Sequence, residues 1–149
     1  MSEVHVTIEI AAPPEAVWAI ALDPERLGDW VTIHRALGDH DPGPAREGLR
    51  MDQTLTLRGA PFKVHWELVG CEVPVRAEWR GRGPAGSRAE TVYDLTPLSD
   101  GGTRFSYRNA FHTPLGLLGR VAERAVAGHL PEAEARASLE RLKALCEAS

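Results

Sequence analysis

The sequence is poor in cysteine and contains no long uncharged hydrophobic run. Its two cysteines, Cys71 and Cys146, lie far apart and match no metal-binding or redox spacing. Because the chain also opens without a basic and then apolar leader, such thiols predict a protein of the reducing cytoplasm. The most apolar stretch, residues 115–130, is interrupted by three charged side chains. Stable membrane insertion is therefore not expected.

An excess of positive charge is also missing. Seventeen Lys and Arg residues face 21 Asp and Glu residues, so the formal net charge is −4. Nucleic-acid-binding proteins concentrate positive charge on one surface, so a nucleic-acid partner is not expected. The 149 residues, 43% of them hydrophobic, predict one soluble domain over residues 1–149, as a monomer or weak dimer.

Signatures of metals and cofactors are lacking as well. The six histidines form no pair at i, i+2 or i, i+4, the spacings with which strands and helices present metal ligands. Residues 81–86, GRGPAG, match the dinucleotide fingerprint, but the next nine residues alternate as a strand. A pyrophosphate site needs a helix there. The sequence therefore predicts a hairpin loop, no metal and no cofactor.

Alternation of apolar and polar side chains is the feature the sequence has in abundance. Trp66 and Leu68 alternate with His65 and Glu67, and the same pattern continues over residues 50–111. A period of two places successive side chains on opposite faces, which predicts an antiparallel sheet with one solvated face. The predicted strands are 4–10, 32–37, 49–58, 62–71, 75–82, 87–96 and 103–112.

First-turn prolines mark the predicted helices, and a capping residue precedes the proline in the second and third of them. A short helix is predicted over residues 15–22, a second one from Asp23-Pro24 towards Trp30, and a long one of about thirty residues after Thr113-Pro114. Pro131 is expected to kink the long helix. Its apolar stripe consists of Leu118, Val121, Ala122, Ala125, Val126, His129, Leu130, Ala133, Leu139, Leu142, Leu145 and Cys146. A one-faced sheet and a striped helix must cover each other, which predicts an α+β fold.

Several motifs spread over the chain resemble those of one superfamily. They are Pro14-Glu15-Ala16-Val17-Trp18, Asp23-Pro24-Glu25 with Trp30, Tyr93-Asp94-Leu95-Thr96-Pro97, Gly101-Gly102-Thr103-Arg104-Phe105, Tyr107-Arg108-Asn109 and the C-terminal helix. With them the chain resembles the SRPBCC superfamily, and in particular its polyketide cyclase/dehydrase and lipid-transport branch. The resemblance implies the START-like helix-grip fold: a curved seven-stranded antiparallel sheet around a long C-terminal helix, with two short helices between strands 1 and 2. It also implies a deep, mostly apolar cavity between sheet and helix.

The apolar face of the sheet would form the cavity wall. A buried carboxamide without a partner costs about 1–3 kcal/mol, so Gln53 and Asn109 must bond to a ligand or to a core neighbour, for Asn109 either Tyr93 or Tyr107. The aromatic side chains are likewise core filler or ligand contacts, and Trp30 lies at the cavity mouth or against Trp18. The predicted ligand-binding residues are Trp30, Gln53, Trp66, Trp79, Thr91, Tyr93, Tyr107, Asn109, Phe111, Leu118, Ala122, Val126 and His129.

Three functions fit this pattern. The first is binding of a hydrophobic small molecule, polyketide-, aromatic- or lipid-like, by a carrier, sequestering or self-resistance protein. The second is a polyketide cyclase or dehydratase with Tyr93, Tyr107 and His129 as catalytic residues. Cyclases of the superfamily place an ionisable group in the cavity, whereas the apolar strand faces here have no charged residue, and His34 and His129 are the candidate bases. The third is a protein-interaction module whose groove receives a partner helix, as in chaperone activators of the superfamily.

Overall fold

The computed structural model describes residues 2–57, 59–112 and 130–148. Strand β1 is followed by two short helices, six further strands and the C-terminal helix α3. The elements are β1 (Ser2–Ile10), α1 (Pro14–Ala21), a 3-10 turn (Pro24–Arg26), α2 (Leu27–Trp30), β2 (His34–His40), β3 (Arg50–Leu57), β4 (Ala60–Glu72), β5 (Arg76–Arg82), β6 (Arg88–Pro97), β7 (Thr103–His112) and α3 (Leu130–Glu147).

All seven strands form one curved antiparallel sheet in the order β1-β7-β6-β5-β4-β3-β2. Strands β2 to β7 are joined in sequence order, and β1 pairs with β7, so β1 and β2 form the two edges. Helix α3 packs against β1, α1 and α2 on one face of the sheet. The predicted fold class, an α+β sheet around a C-terminal helix with two short helices between strands 1 and 2, is confirmed. No helix of the described residues is long and apolar enough to cross a membrane.

The local signals for helices and turns act as the sequence predicts. Pro14 occupies the first turn of α1, where its missing N–H has no helical partner to lose. The Asp23 carboxylate accepts a hydrogen bond from the backbone N–H of Glu25 at 3.0 Å and so caps the 3-10 turn. Residues 81–86 run from the end of β5 into a turn before β6, which confirms the hairpin.

Several predicted details are wrong. The second strand is His34–His40 and not 32–37, because α2 is followed by a turn at residues 32–33. The fifth strand begins at Arg76 and not at residue 75, and Val75 is exposed. Ala133 is also exposed, since it lies about 180° around the helix axis from buried Leu142. The first half of the predicted long helix, residues 113–129, lies outside the described residues, and the kink at Pro131 stays a prediction.

The packed core passes into a cavity along the inner face of the sheet. On β6, Leu95 is buried beside Phe105 in the core, whereas Tyr93, Thr91 and Ala89 line a cavity. The helices cover this face from the other side: Leu139 of α3 belongs to both the core and the cavity wall. The fold therefore places a hollow between the middle of the sheet and the helices, as the resemblance implied.

Candidate ligand-binding cavity

The cavity has a volume of about 180 Å³ and a mostly apolar wall. For comparison, an engineered apolar cavity of about 150 Å³ admits benzene, so this one suits a guest of one or two rings. The lining residues are Val4, Leu27, Trp30, Val31, Ile33, Met51, Gln53, Leu55, Leu57, Phe62, Val64, Trp66, Trp79, Ala89, Thr91, Tyr93, Tyr107, Asn109, Phe111, Glu134, Ala135, Ser138 and Leu139.

Each predicted ligand-binding residue that the structure describes lies in this wall. These residues are Trp30, Gln53, Trp66, Trp79, Thr91, Tyr93, Tyr107, Asn109 and Phe111. The remaining ones, Leu118, Ala122, Val126 and His129, lie outside the described residues. The period-two pattern was sufficient to place the strand residues, because the inner face of each strand carries alternate positions. Their role in binding stays a prediction.

Aromatic rings form two groups in the wall. Tyr93 lies directly opposite Tyr107 in the β6–β7 register, with ring centroids 6.1 Å apart, and Trp30 of α2 meets the Tyr93 ring edge-on, also at 6.1 Å. Trp66 and Trp79 on β4 and β5 pack edge to face at 6.4 Å. Cross-strand and edge-to-face aromatic pairs hold their rings in fixed orientations. The wall therefore offers ordered flat surfaces to a guest.

Gln53 is buried and is hydrogen-bonded on both sides. Its side-chain oxygen Oε1 accepts from the Trp66 indole Nε1–H at 3.0 Å, and its Nε2 lies 3.0 Å from Nδ1 of His34. Only 4% of Gln53 is exposed, so these two bonds meet the need for partners that burial imposes. Burial lowers the pKa of His34 below its ordinary value of 6.5.

Asn109 also has a partner inside the protein. Its Oδ1 accepts a hydrogen bond of 2.9 Å from the Thr91 hydroxyl. The predicted core partner, Tyr93 or Tyr107, is wrong, because Thr91 is the residue directly opposite Asn109 in the β6–β7 register. The Nδ2 amino group of Asn109 remains a donor in a wall that the residue lines.

Trp30 carries a buried hydrogen-bond donor in its indole ring. The side chain is 2% exposed, and among the described residues its indole Nε1–H finds no hydrogen-bond acceptor. The structure places Trp30 in the cavity wall, against Tyr93; the two predicted positions, at the cavity mouth or against Trp18, stay predictions. An unsatisfied buried donor costs about 1–3 kcal/mol, and an acceptor in the cavity would remove that penalty.

The two tyrosines are protonated donors at neutral pH. Burial raises the pKa of Tyr107 to about 12. Burial, and then the neighbouring Tyr107, raise the pKa of Tyr93 above its ordinary value as well. A phenol with such a pKa is a poor general base near neutral pH but keeps its O–H for donation to an oxygen. Their catalytic role, and that of His129 outside the described residues, stays a prediction.

Glu134 is a wall residue that the strand pattern does not reveal. It comes from α3, and within the described lining it is the only charged side chain. The Thr32 hydroxyl donates to its carboxylate, and the backbone N–H of Thr32 donates to the Ser138 hydroxyl at 3.0 Å. Glu134 precedes Ser138 by four residues, so the two lie on the same face of α3. Knowing which face of the helix points to the cavity would have identified Glu134. Within residues 2–57, 59–112 and 130–148, no His, Cys, Asp and Glu side chains cluster as a metal site.

Sequence comparisons find a matching family and a similar protein. Residues 1–147 match the family described as polyketide cyclase/dehydrase and lipid transport. The chain is 23% identical over 133 residues to the protein named Toxin Rv0910 of Mycobacterium tuberculosis, covering 89% of this chain and 92% of that protein.

Two solved structures show the same fold. TTHA0849 from Thermus thermophilus superposes with a TM-score of 0.78 at 23% identity, covering 99% of this chain and 98% of the other. The ZhuI aromatase/cyclase from Streptomyces sp. R1128 superposes with a TM-score of 0.78 at 15% identity, covering 98% and 93%. The family match over residues 1–147 confirms the resemblance seen in the sequence: the chain belongs to the polyketide cyclase/dehydrase and lipid transport family.

Proposed function

We propose that the protein binds a flat, hydrophobic small molecule bearing an acceptor oxygen, and holds it in the cavity as a carrier or sequestering protein. The observation that carries this proposal is the buried indole N–H of Trp30, which has no acceptor within residues 2–57, 59–112 and 130–148, on a ring that lines an apolar cavity of about 180 Å³. A ligand carbonyl would give this donor an acceptor, and the surrounding rings would cover the ligand's apolar faces.

The other polar groups of the wall favour the same ligand chemistry. The hydroxyls of Tyr93 and Tyr107 keep their protons, and the Nδ2 group of Asn109 takes no part in the bond to Thr91. All three are donors, so oxygen acceptors on the ligand match them better than ligand N–H groups do. Polyketide-like and other oxygenated aromatic molecules have this chemistry.

A matched pair of ligands tests the proposal. 2-Acetylnaphthalene has two fused rings and one carbonyl oxygen, and 2-ethylnaphthalene has a similar shape without the oxygen. Because Trp30, Trp66 and Trp79 line the cavity, bound 2-acetylnaphthalene should quench tryptophan fluorescence saturably. One hydrogen bond to a neutral donor contributes about 0.5–1.5 kcal/mol, so 2-ethylnaphthalene should bind roughly 2- to 12-fold more weakly. Equal affinities would contradict the acceptor part of the proposal.

A matched pair of variants shows whether the cavity is where the ligand binds. Ala89 lines the cavity, so Ala89→Phe should fill part of it and weaken binding at least tenfold. Ala110 lies on the adjacent strand β7, opposite Glu90, one position from the wall residue Phe111. Ala110→Phe should leave binding within twofold of the wild type. Binding that survives Ala89→Phe unchanged would contradict the cavity as the site.

A second function, cyclisation or dehydration of an oxygenated substrate, is favoured by the Glu134 carboxylate. A carboxylate in the lining can accept a proton from carbon next to a carbonyl, while the donors of the wall stabilise the resulting enolate oxygen. The protein would then catalyse exchange of the acetyl methyl protons of 2-acetylnaphthalene in D₂O. Glu134→Gln should abolish that exchange and leave binding within twofold. If the wild-type protein binds 2-acetylnaphthalene without catalysing this exchange, the enzymatic function is contradicted and only the carrier function stands.

The predicted protein-interaction function would need an exposed apolar surface. Within the described residues, the large exposed hydrophobic side chains are Val73, 62% exposed, and Val75, 37% exposed, at the β4–β5 turn. Two side chains at a turn form no groove for a helix. The protein-interaction function stays a prediction without a specific observation behind it.

A further inference from the structure

The hydrogen-bond chain from Trp66 through Gln53 to His34 has a fixed direction. An indole nitrogen can only donate, so Trp66 Nε1–H requires the oxygen of the Gln53 amide at its end of the chain. The amide nitrogen of Gln53 then faces Nδ1 of His34 at 3.0 Å. Because the amide nitrogen donates, Nδ1 must accept, and the imidazole is neutral with its proton on Nε2.

We infer that His34 is a positioning residue that, as a neutral imidazole, fixes the orientation of the Gln53 amide and of the Trp66 indole in the cavity wall, and that its protonation releases both. A protonated imidazole donates from both nitrogens. The Nδ1–H of protonated His34 would then point at the N–H₂ group of Gln53, which is also a donor. If the Gln53 amide turned over, its N–H₂ group would instead point at the N–H of Trp66. Either arrangement sets two donors against each other, so one bond of the chain must break.

The surroundings of His34 favour the neutral form. The imidazole is partly buried against Gly28 of α2, where an added Cβ atom would lie 3.4 Å from the imidazole Cδ2, and burial is the cause of its lowered pKa. Nearby carboxylates have other partners: Asp29 pairs with Arg26 at 3.1 Å, and Asp52 with His65 at 2.6 Å. The charged or titratable groups on the elements that pack against β2, and on β2 itself, are Glu25, Arg26, Asp29, Arg35, Asp39, His40, Arg50 and Asp52.

The inference deepens the proposed function, on which its effect on binding rests. Gln53 and Trp66 both line the cavity, so release of their bond changes the wall that a ligand meets. If only the protein with neutral His34 binds tightly, the affinity for 2-acetylnaphthalene should fall tenfold for each pH unit below the pKa of His34. That ligand carries no titratable group, so the pH dependence comes from the protein.

Nuclear magnetic resonance of the protein without ligand tests the chain itself. The ¹⁵N spectrum of the imidazoles should show His34 with its proton on Nε2 and with a pKa below 6.5. The indole N–H signal of Trp66, assigned with Trp66→Phe, should shift with the same midpoint as His34, while that of Trp18 should not. A proton on Nδ1 of neutral His34, or a Trp66 signal that ignores the titration, would overturn the inference.

Two variants of His34 separate positioning from packing. Asn has a side-chain oxygen near the place of Nδ1 but cannot be protonated, so His34→Asn should keep the Trp66 signal of neutral His34 at every pH. His34→Phe removes the acceptor, so the Trp66 indole N–H signal should match that of the protein with protonated His34 at every pH. His5→Phe, a change at a histidine bonded to Ser106 on the outer face, should leave the titration as in the wild type. A Trp66 signal that still titrates in His34→Asn would overturn the inference.

The failure of this inference differs from failure of the proposed function. If 2-acetylnaphthalene does not bind but Trp66 titrates with His34, the positioning by His34 stands and the proposed function fails. If the ligand binds with an affinity that is flat across the titration of His34, the proposed function stands and the pH control of binding is wrong.

Discussion

Replacing Gly81 by alanine should destabilise the protein and disturb the cavity wall. Gly81 holds an inward position on β5, directly opposite Trp66 in the β4–β5 register. A Cβ atom there would lie 2.8 Å from Cε3 and Cζ3 of Trp66 and 2.8 Å from Cγ1 of Val64. These distances are well inside van der Waals contact, so the indole ring must move. Because glycine has no side chain, the ring of Trp66 can pack directly against the backbone of β5 at this position.

The magnitude follows from three contributions. Overpacking a filled site typically costs about 1–3 kcal/mol. Displacement of the indole also weakens the 3.0 Å bond from Trp66 to buried Gln53, which contributes about 1 kcal/mol. Replacing glycine by alanine in a strand returns about 0.5 kcal/mol, because the unfolded chain loses freedom. The free energy of unfolding should therefore fall by about 1.5–3.5 kcal/mol, and the melting temperature by roughly 3–14 °C.

Urea unfolding of Gly81→Ala and of a control, Gly70→Ala, measures the effect. Gly70 lies on neighbouring β4, and its added Cβ would approach no atom closer than 3.4 Å, at the half-buried Glu78 side chain. We expect Gly70→Ala to unfold within about 0.5 kcal/mol of the wild type, as ordinary surface substitutions do. The Trp66 indole N–H signal should shift in Gly81→Ala only. Equal stability of the two variants would refute the contact between Gly81 and Trp66.

Two further substitutions test other contacts. Thr91→Val removes the donor to Asn109. It should lower the free energy of unfolding by about 0.5–1.5 kcal/mol, measured by urea unfolding, because the half-buried Asn109 oxygen loses a hydrogen bond; an unchanged midpoint would contradict that bond. Bonds from Lys143 and then from the Ala11 N–H lower the pKa of Glu147. Its ionised form therefore stabilises the protein above a pH of about 4.5, and this stability is lost as the pH falls through the lower folded-state pKa. Glu147→Gln should flatten acid unfolding in that range, and identical curves would contradict the assignment.

The sheet could be predicted from the sequence because its signal repeats at every second residue. Ala89, Thr91 and Tyr93 show the pattern, and the structure places all three inward on β6 in that order. The strand β2 was misplaced because its burial follows no period of two, and two register shifts interrupt its pairing with β3.

The wall could be predicted in part only, because helix phase and hydrogen-bond partners are tertiary features. Ala133 looked like part of the apolar stripe, but alanine is small enough to be exposed at little cost. Leu139 and Leu142 are the buried residues that set the orientation of α3, and in that orientation Glu134 lines the cavity. The partner of Asn109 depends on the pairing register of β6 with β7, which the sequence of one strand does not determine.

Intermolecular nuclear Overhauser effects between 2-acetylnaphthalene and the protein's methyl groups test the central claim most directly. Leu55 and Val64 line the cavity, whereas Val73 and Val75 are exposed at the β4–β5 turn. Binding inside the cavity predicts contacts from the naphthalene protons to the methyl groups of Leu55 and Val64, which disappear in Ala89→Phe. Contacts to Val73 and Val75 alone, or contacts that persist in Ala89→Phe, would contradict it.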